Sequence, residues 1–176
     1  MFSVDYIQQL KKIHANPKKK SSFGGKLKEL GDFEKYLTGW NPTTLLDYGC
    51  GKGAILSHLK TTYPQVNMEG YDPAVLMFST VPTKKFECVF SNDVLEHIEP
   101  EFIDNVLEHI RSLGSKYIWL RIDTKPARKT LPDGRNAHLI QETPDWWIKK
   151  VSTIISPNIV YKHANEIQRI DIAIEL

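Results

Sequence analysis

The chain has 176 residues, a length that suits a single domain with its own hydrophobic core. Its composition is that of an ordinary soluble globular protein, and a formal net charge of +2 is too small to indicate nucleic-acid binding by itself. The two cysteines exclude a disulfide framework and a four-ligand zinc site, and they suit a reducing compartment. Since no apolar stretch resembles a membrane span or a signal peptide, we expect a cytoplasmic protein with no membrane partner.

The first 40 residues are predicted to form an N-terminal helical cover within a single domain that spans 1–176. A weak helical pattern over about residues 3–22 ends in NPKKKSS, a loop-forming stretch whose lysines either face solvent or contact an acidic substrate. Apolar residues spaced three and four apart predict a second helix over about 26–37.

Strands and helices alternate from residue 43 onward. The buried strand TTLLDY is followed by a glycine-rich loop and a helix that ends at Pro64. Two further strands, VNMEGYD and FECVFSN, precede a helix that ends at Gly114, where a C-cap glycine is common. The stretch KYIWLRID is apolar almost throughout, which is typical of a central parallel strand covered on both faces.

The last third of the chain contains an insertion and a pair of strands. A stretch rich in Pro, Lys and Arg begins a lid-like insertion over 124–147, and a helix follows over about 144–153. Strands are predicted over about 158–163 and 167–175, and the alternation of Ile170, Ile172 and Ile174 with mostly polar residues indicates that the second is a half-exposed, antiparallel strand. The predicted fold class is therefore α/β, an open and mostly parallel sheet with a terminal antiparallel strand pair.

The loop LLDYGCGKGAI follows the first strand, and open α/β sheets bind ligands at the carboxyl ends of their strands. Its spacing, G-x-G-x-G, differs from the dinucleotide fingerprint G-x-G-x-x-G, and no Gly-Lys-Ser/Thr closes it as a phosphate-binding loop. Asp47, just before the first glycine, would repel a phosphate and suits a cationic ligand. Asp72, at the end of the second strand, is placed to accept hydrogen bonds from both hydroxyls of a ribose.

Three ordered motifs, LLDYGCGKG, EGYDP and SNDVLEHI, resemble those of the class I S-adenosylmethionine-dependent methyltransferases. The resemblance covers residues 43–123 and implies a Rossmann-like sheet, S-adenosylmethionine as cofactor and S-adenosylhomocysteine as product. It places Asp47 at the amino-acid end of the cofactor and Asp72 at its ribose. The residues that it assigns to cofactor binding are Asp47, Gly49, Cys50, Gly51, Gly53, Tyr71, Asp72, Pro73, Asn92, Asp93 and Val94.

One segment departs from the family pattern. Only PAVLMFSTVPTKK separates Asp72 from the third strand at Phe86, which is too short for the usual helix and edge strand. We therefore expect a shortened sheet that lacks this edge strand. The adenine would then be contacted by apolar side chains from Ala74, Val75 or Leu76 rather than by an acid.

The acceptor is expected near the end of the central strand, where the 124–147 insertion begins. His97 and His138 are candidate general bases, although the family often carries a histidine like His97, as a helix-start residue. Arg121, Arg135 and His138 are candidate substrate-binding residues, and Arg135 has the chemistry to clamp a carboxylate or phosphate. The remaining histidines show no metal-ligand spacing, so no metal site is predicted.

The sequence thus predicts an enzyme that transfers a methyl group from S-adenosylmethionine to a small or medium-sized acceptor. Basic residues in the insertion favour an anionic acceptor. Two alternatives stay open, a non-catalytic S-adenosylmethionine-binding protein and a nucleic-acid methyltransferase. The sequence lacks the D/N-P-P-Y/F/W-type motif of amino-methylating nucleic-acid enzymes, which disfavours the second alternative. Its glycine spacing disfavours an oxidoreductase.

Overall fold

The computed structural model describes residues 3–15, 30–165 and 169–176. The strands are β1 (Thr44–Tyr48), β2 (Asn67–Tyr71), β3 (Phe86–Asn92), β4 (Gly114–Asp123), β5 (Ile159–Asn165) and β6 (Arg169–Glu175). The α-helices are α1 (Val4–His14), α2 (Gly31–Trp40), α3 (Ala54–Thr62), α4 (Ile103–Leu113) and α5 (Pro144–Ile154). The strands form one six-stranded sheet in the order β2-β1-β3-β4-β6-β5. The first four in this order are parallel and β6 is antiparallel to both neighbours, so the predicted fold class is confirmed. The expected half-exposure of the last strand is wrong, because β6 lies between β4 and β5 and is buried on both faces.

The sheet ends at β2, as the short segment before β3 predicted. Residues 73–85, all of them described, contain a single turn of 3₁₀ helix (Leu76–Phe78) and no strand. The turn folds back on the sheet, because the carbonyl oxygen of Phe78 accepts a hydrogen bond from the backbone N–H of Asp72 at 2.9 Å. Phe78 then packs over Gly70, where an added Cβ would lie 3.2 Å from its ring.

The sheet separates two apolar cores. On one face, α4 and α5 pack against strand residues that include Leu46 and Ile118. On the other face, α2 and α3 pack against strand residues that include Leu45 and Trp119. Neighbouring residues of β1 and of β4 enter opposite cores, because side chains alternate along a strand. This double burial explains why both strands have nearly continuous apolar sequences.

A third, smaller apolar cluster joins α1 to the segment after β4. Tyr6 of α1 is buried together with Leu131 and Ala137 of that segment. The hydroxyl of Ser3 begins the helix by accepting a hydrogen bond from the backbone N–H of Tyr6 at 3.1 Å. The amphipathic face of α1 thus packs on the insertion rather than on either core beside the sheet.

The helix boundaries differ from the sequence predictions mainly near the N-terminus. α1 ends at His14, and α2 continues three residues beyond the predicted end at residue 37. Residues 26–29 of the predicted second helix and the basic NPKKKSS stretch lie outside the described residues. α5 begins at Pro144, where the Thr143 hydroxyl accepts a hydrogen bond from a backbone N–H of the first turn. None of the helices in the described ranges is long and apolar enough to cross a membrane.

Candidate active site

A cavity of about 430 Å³ lies beyond the carboxyl ends of β1, β3 and β4. It is lined by the loop after β1, by the segment 92–98 after β3, by α1 and by residues between 123 and 138. The volume falls within the ~300–1,000 Å³ range of small-molecule sites, and open α/β sheets bind ligands at this edge.

The loop after β1 requires glycine at a position that the sequence singled out. Gly49 has a φ of +82°, and a Cβ added there would lie 2.4 Å from a methyl carbon of Val94. Non-glycine residues seldom adopt this φ, and carbon atoms do not approach so closely without a shift of one of them. The bare backbone of Gly49 is therefore what lets the segment after β3 close on the loop.

Asp47 is a buried acid in the wall of the cavity. Its side chain is 2% exposed, and its Oδ2 has no hydrogen-bond partner among the described residues. Burial, and then the negative charge of Asp72, raise the pKa of the Asp47 carboxyl to about 7. An unpartnered buried carboxylate oxygen suits an ammonium group, so this wall fits the amino-acid end of S-adenosylmethionine.

Asp72 holds the glycine loop in place. Its Oδ2 accepts a hydrogen bond from the backbone N–H of Gly51 at 3.0 Å, and its Oδ1 accepts one from that of Ala74 at 2.9 Å. Each carboxylate oxygen still has a second lone pair. The residue lines the cavity, so it has the capacity to accept ribose hydroxyls as well.

Most of the predicted cofactor residues meet at this cavity, but two lie outside its lining. Gly53 packs beneath the 3₁₀ turn, and Tyr71 is buried with its ring edge-on to Tyr48. Ala74, Val75 and Leu76, the residues expected at the adenine, are not part of this lining either, and their contact with the adenine stays a prediction. The predicted residues that line the cavity are Asp47, Gly49, Cys50, Gly51, Asp72, Pro73, Asn92, Asp93 and Val94.

The two candidate bases are neighbours in the cavity wall. The ring centroids of His97 and His138 are 4.7 Å apart, with an interplanar angle of 83°. Nδ1 of His97 lies 2.7 Å from the carbonyl oxygen of Ala137, and Nδ1 of His138 lies 2.5 Å from that of Lys125. Because a carbonyl oxygen only accepts, each Nδ1 carries a proton and the lone pair of the neutral ring is on Nε2.

Burial shifts the pKa values of His97 and Glu96 toward their neutral forms. It lowers the pKa of His97 to about 4, with His138 as the next cause, so His97 is neutral at pH 7. Glu96 is fully buried and also lines the cavity. Burial and the nearby charge of Asp93 raise the pKa of the Glu96 carboxyl well above its usual range.

Two arginines predicted to bind substrate are engaged elsewhere. Arg121 is buried opposite Asp171 in the antiparallel register of β4 and β6, and its Nε and Nη2 donate to that carboxylate at 2.5 and 2.7 Å. Arg135 is an exposed residue whose guanidinium contacts Asp133 at 2.8 Å. Neither residue belongs to the cavity lining that the described part of the chain provides.

The cavity also contains residues that the sequence did not single out. Tyr6 and Leu10 enter it from α1, while Lys125 and Lys129 enter it from the insertion and Arg169 from the start of β6. The basic run after β4 was a visible signal for the lysines. Nothing local in the sequence marks the α1 residues, because their place depends on how the helix packs on the insertion.

The fold is Rossmann-like, and a glycine loop and two acids, Asp47 and Asp72, line a cavity at the carboxyl ends of its strands. Residues 6–159 match the family model described as a methyltransferase domain, so the chain belongs to the methyltransferase domain family and is an S-adenosylmethionine-dependent methyltransferase. A comparison with curated proteins gives no match.

Solved structures share this fold at low sequence identity. The chain is similar to Burkholderia thailandensis 1,6-didemethyltoxoflavin-N1-methyltransferase with bound S-adenosylhomocysteine, with a TM-score of 0.70 and 10% identity over 97% of this chain and 88% of that one. It is also similar to magnesium protoporphyrin IX methyltransferase of Synechocystis PCC 6803 with bound S-adenosylmethionine, with a TM-score of 0.62 and 14% identity over 98% of both chains. A complex of DhpI with S-adenosylhomocysteine gives a TM-score of 0.64 and 16% identity over 97% of both chains.

Proposed function

We propose that this enzyme methylates a small acceptor that carries a negative charge. The observation behind the proposal is the pair of cationic side chains that the insertion brings to the cavity, Arg128 and Lys129; Lys125 and Arg169 also line it but lie beside Asp123 and Asp93. Cationic groups in a cleft attract an anionic ligand and orient its acidic group. Two of the similar structures are named for the methylation of small molecules, a toxoflavin precursor and a porphyrin, which supports a small acceptor.

The cofactor would be held by the side of the cavity that carries the glycine loop. In this proposal, Asp47 pairs with the α-ammonium group and Asp72 accepts the ribose hydroxyls, while Asn92 and Val94 contact the methionine portion. S-adenosylmethionine supplies a methyl group that its sulfonium sulfur has already activated. The protein then has to align the accepting atom, the methyl carbon and the sulfur, and orientation of this kind contributes much of the rate of such a reaction.

We further propose that α1 and the insertion 124–147 form the cover of the site. The Tyr6 hydroxyl donates a hydrogen bond to the carbonyl oxygen of His97. The backbone N–H and the hydroxyl of Ser3 donate to the carboxylate of Glu99 at 2.9 and 2.7 Å. These contacts tie the helix to the segment after β3, and a closed site would keep water away from the reactive sulfonium.

His97 and His138 are proposed to act on the acceptor. Both line the cavity, and both have the lone pair of the neutral ring on Nε2. A hydroxyl or ammonium acceptor has to lose a proton when it is methylated, and an imidazole lone pair takes up a proton or binds a cation. Arg121 and Arg135 are not part of the proposal, because each is engaged with a neighbouring carboxylate.

Matched acceptors test the proposed charge preference. Pairs of small aromatic and aliphatic hydroxyl compounds, with and without a carboxylate or phosphate, would be incubated with S-adenosylmethionine, and S-adenosylhomocysteine would be quantified. We expect turnover with the anionic members. The Arg128→Gln/Lys129→Gln variant should raise KM for them roughly tenfold or more, whereas Lys149→Gln on α5 should leave KM unchanged. Preference for the neutral members, or an unchanged KM in the double variant, would contradict the proposal.

A further inference from the structure

Three side chains that line the cavity have the arrangement of a metal site. One ligand atom from each of Glu96, His97 and His138 lies within 4.8 Å of the other two. Glu96 and His97 are adjacent in the chain, but His138 reaches them only through the path of the insertion. The three residues therefore show no metal-binding motif in the sequence and come together only in the folded chain.

Glu96 brings an acidic oxygen into this cluster. Its side chain is 0% exposed, and only its Oε1 has a hydrogen bond in the described structure, accepted from the backbone N–H of Asp123 at 3.0 Å. Oε2 is buried and has no hydrogen-bond partner among the described residues. A buried carboxylate oxygen without a partner is costly, and a cation beside it would remove that cost.

The two imidazoles are oriented as metal-bound histidines usually are. A histidine that binds a metal through one nitrogen almost always donates its other ring N–H to a carbonyl or a carboxylate, which fixes the ring and its tautomer. Here the Nδ1 atoms of His97 and His138 bond the backbone carbonyls of Ala137 and Lys125 at 2.7 and 2.5 Å. The Nε2 atoms are then the ligand atoms that the neutral rings offer to a cation.

The charges around the cluster are compatible with a bound cation. Asp93 and Asp123 lie close enough to Glu96 to act on its carboxyl group. The cationic side chains beside them are matched by these acids, since Arg169 lies 3.9 Å from Asp93 and Lys125 lies 3.7 Å from Asp123. Lys129 is a further cation near His97, and its charge disfavours a second cation at the cluster.

We propose that Glu96, His97 and His138 bind one divalent transition-metal ion, of the kind that imidazole and carboxylate ligands select, such as Zn²⁺ or Co²⁺. Bonds of ~2.0–2.2 Å to a common centre would require ligand atoms that are up to 4.8 Å apart to move together by roughly 1 Å. Two histidines and one glutamate leave coordination positions open, as in catalytic rather than structural zinc sites.

The open positions give the metal a role at the acceptor, and this part rests on the proposed methyltransferase function. The ion is expected to bind the accepting hydroxyl, which lowers the pKa of that hydroxyl so that its proton leaves to solvent. The oxygen then forms a bond to the methyl carbon while the carbon–sulfur bond breaks, and the sulfur keeps the electron pair. The acceptors favoured by such a site are hydroxyl compounds.

Metal binding is testable without knowledge of the acceptor. Untagged protein would be treated with a chelator, dialysed, and titrated with Co²⁺ while the visible absorption is followed, and with Zn²⁺ by calorimetry. We expect one equivalent to bind. The Glu96→Gln and His138→Ala variants should bind at least roughly tenfold more weakly, since even the loss of a residue that only orients a metal ligand costs ~10–100-fold. His58→Ala, on α3 outside the cavity lining, is the matched control and should bind as the wild type does.

Retained affinity for S-adenosylhomocysteine shows that the ligand variants are folded. The proposal is overturned if the wild type binds no ion, or if the two ligand variants bind it as tightly as the control does. A methylation assay separates this result from the proposed function. With an accepted hydroxyl compound, chelation should abolish turnover and Zn²⁺ or Co²⁺ should restore it, whereas metal binding without any accepted compound contradicts the acceptor proposal alone.

Discussion

At the scale of single residues, Asp47 is a buried acid whose charged form is costly to the folded protein. The side chain is buried, its Oδ2 has no partner among the described residues, and burial raises its pKa to about 7. An acid whose pKa is higher in the folded than in the unfolded chain favours folding while protonated. Stability is therefore lost as pH rises from about 4 through about 7.

The variant Asp47→Asn tests this balance. Relative to the wild type, it should raise the free energy of unfolding at pH 8 by roughly 1–4 kcal/mol, because it removes a buried charge. The wild-type Kd for S-adenosylhomocysteine should improve about fivefold from pH 6 to pH 7 as Asp47 ionises, whereas the variant should bind weakly at both values. Denaturant unfolding and calorimetry measure the two effects.

A ligand without the amino-acid portion is the control for the Asp47 experiment. 5′-Methylthioadenosine lacks the α-ammonium group, so its Kd should be nearly the same for the wild type and for Asp47→Asn. Equal losses for this ligand and for S-adenosylhomocysteine would show that Asp47 does not face the ammonium group.

At the scale of the secondary-structure elements, β4 and β6 are joined by a buried ion pair where the sequence suggested a substrate residue. Arg121 and Asp171 face each other in the antiparallel register, and both side chains are at most 6% exposed. The desolvation of two charges offsets much of their attraction, but removal of one partner leaves the other charge buried and unpaired.

A single and a double variant test this structural role. Arg121→Met should destabilise the protein by about 3–5 kcal/mol, and Arg121→Met/Asp171→Leu should recover most of that loss. The double variant should also keep the KM of the wild type for any accepted compound. A stable double variant with a strongly raised KM would show instead that Arg121 contributes to acceptor binding.

At the scale of the whole molecule, the proposed site is assembled from segments that are far apart in the chain. The loop after β1, the segment after β3, the insertion and α1 all contribute to one cavity. Since the cofactor would contact several of these segments at once, its binding should stabilise the folded state as a whole. The gain follows from mass action, because the unfolded chain has no such cavity.

Thermal unfolding measures this linkage. S-Adenosylhomocysteine at one hundred times its Kd should stabilise the wild type by ~2.7 kcal/mol, which corresponds to a rise in Tm of about 5–10 °C. At the same ligand concentration Asp72→Ala should show little rise, because the proposed ribose acceptor and the support of the glycine loop are lost. Asp104→Ala on α4 should keep the full rise. An equal rise in the Asp72 variant would remove that residue from the cofactor site.

Local sequence patterns were sufficient for the predictions that depend only on neighbouring residues. They predicted the class of sheet, the glycine loop and the missing edge strand, because periodicity, turn chemistry and segment length act over a few residues. The acids Asp47 and Asp72 were also found this way, as residues at the ends of strands whose carboxyl edges must share one side of the sheet.

The sequence by itself thus determined the fold class, the family and the strand edge at which the cofactor is expected. Tertiary structure alone decided that Arg121 pairs with Asp171, that α1 lines the cavity, and that His138 meets Glu96 and His97. These contacts join residues that are distant in the chain. They depend on strand register and on the packing of the insertion, which no periodicity within a short segment encodes.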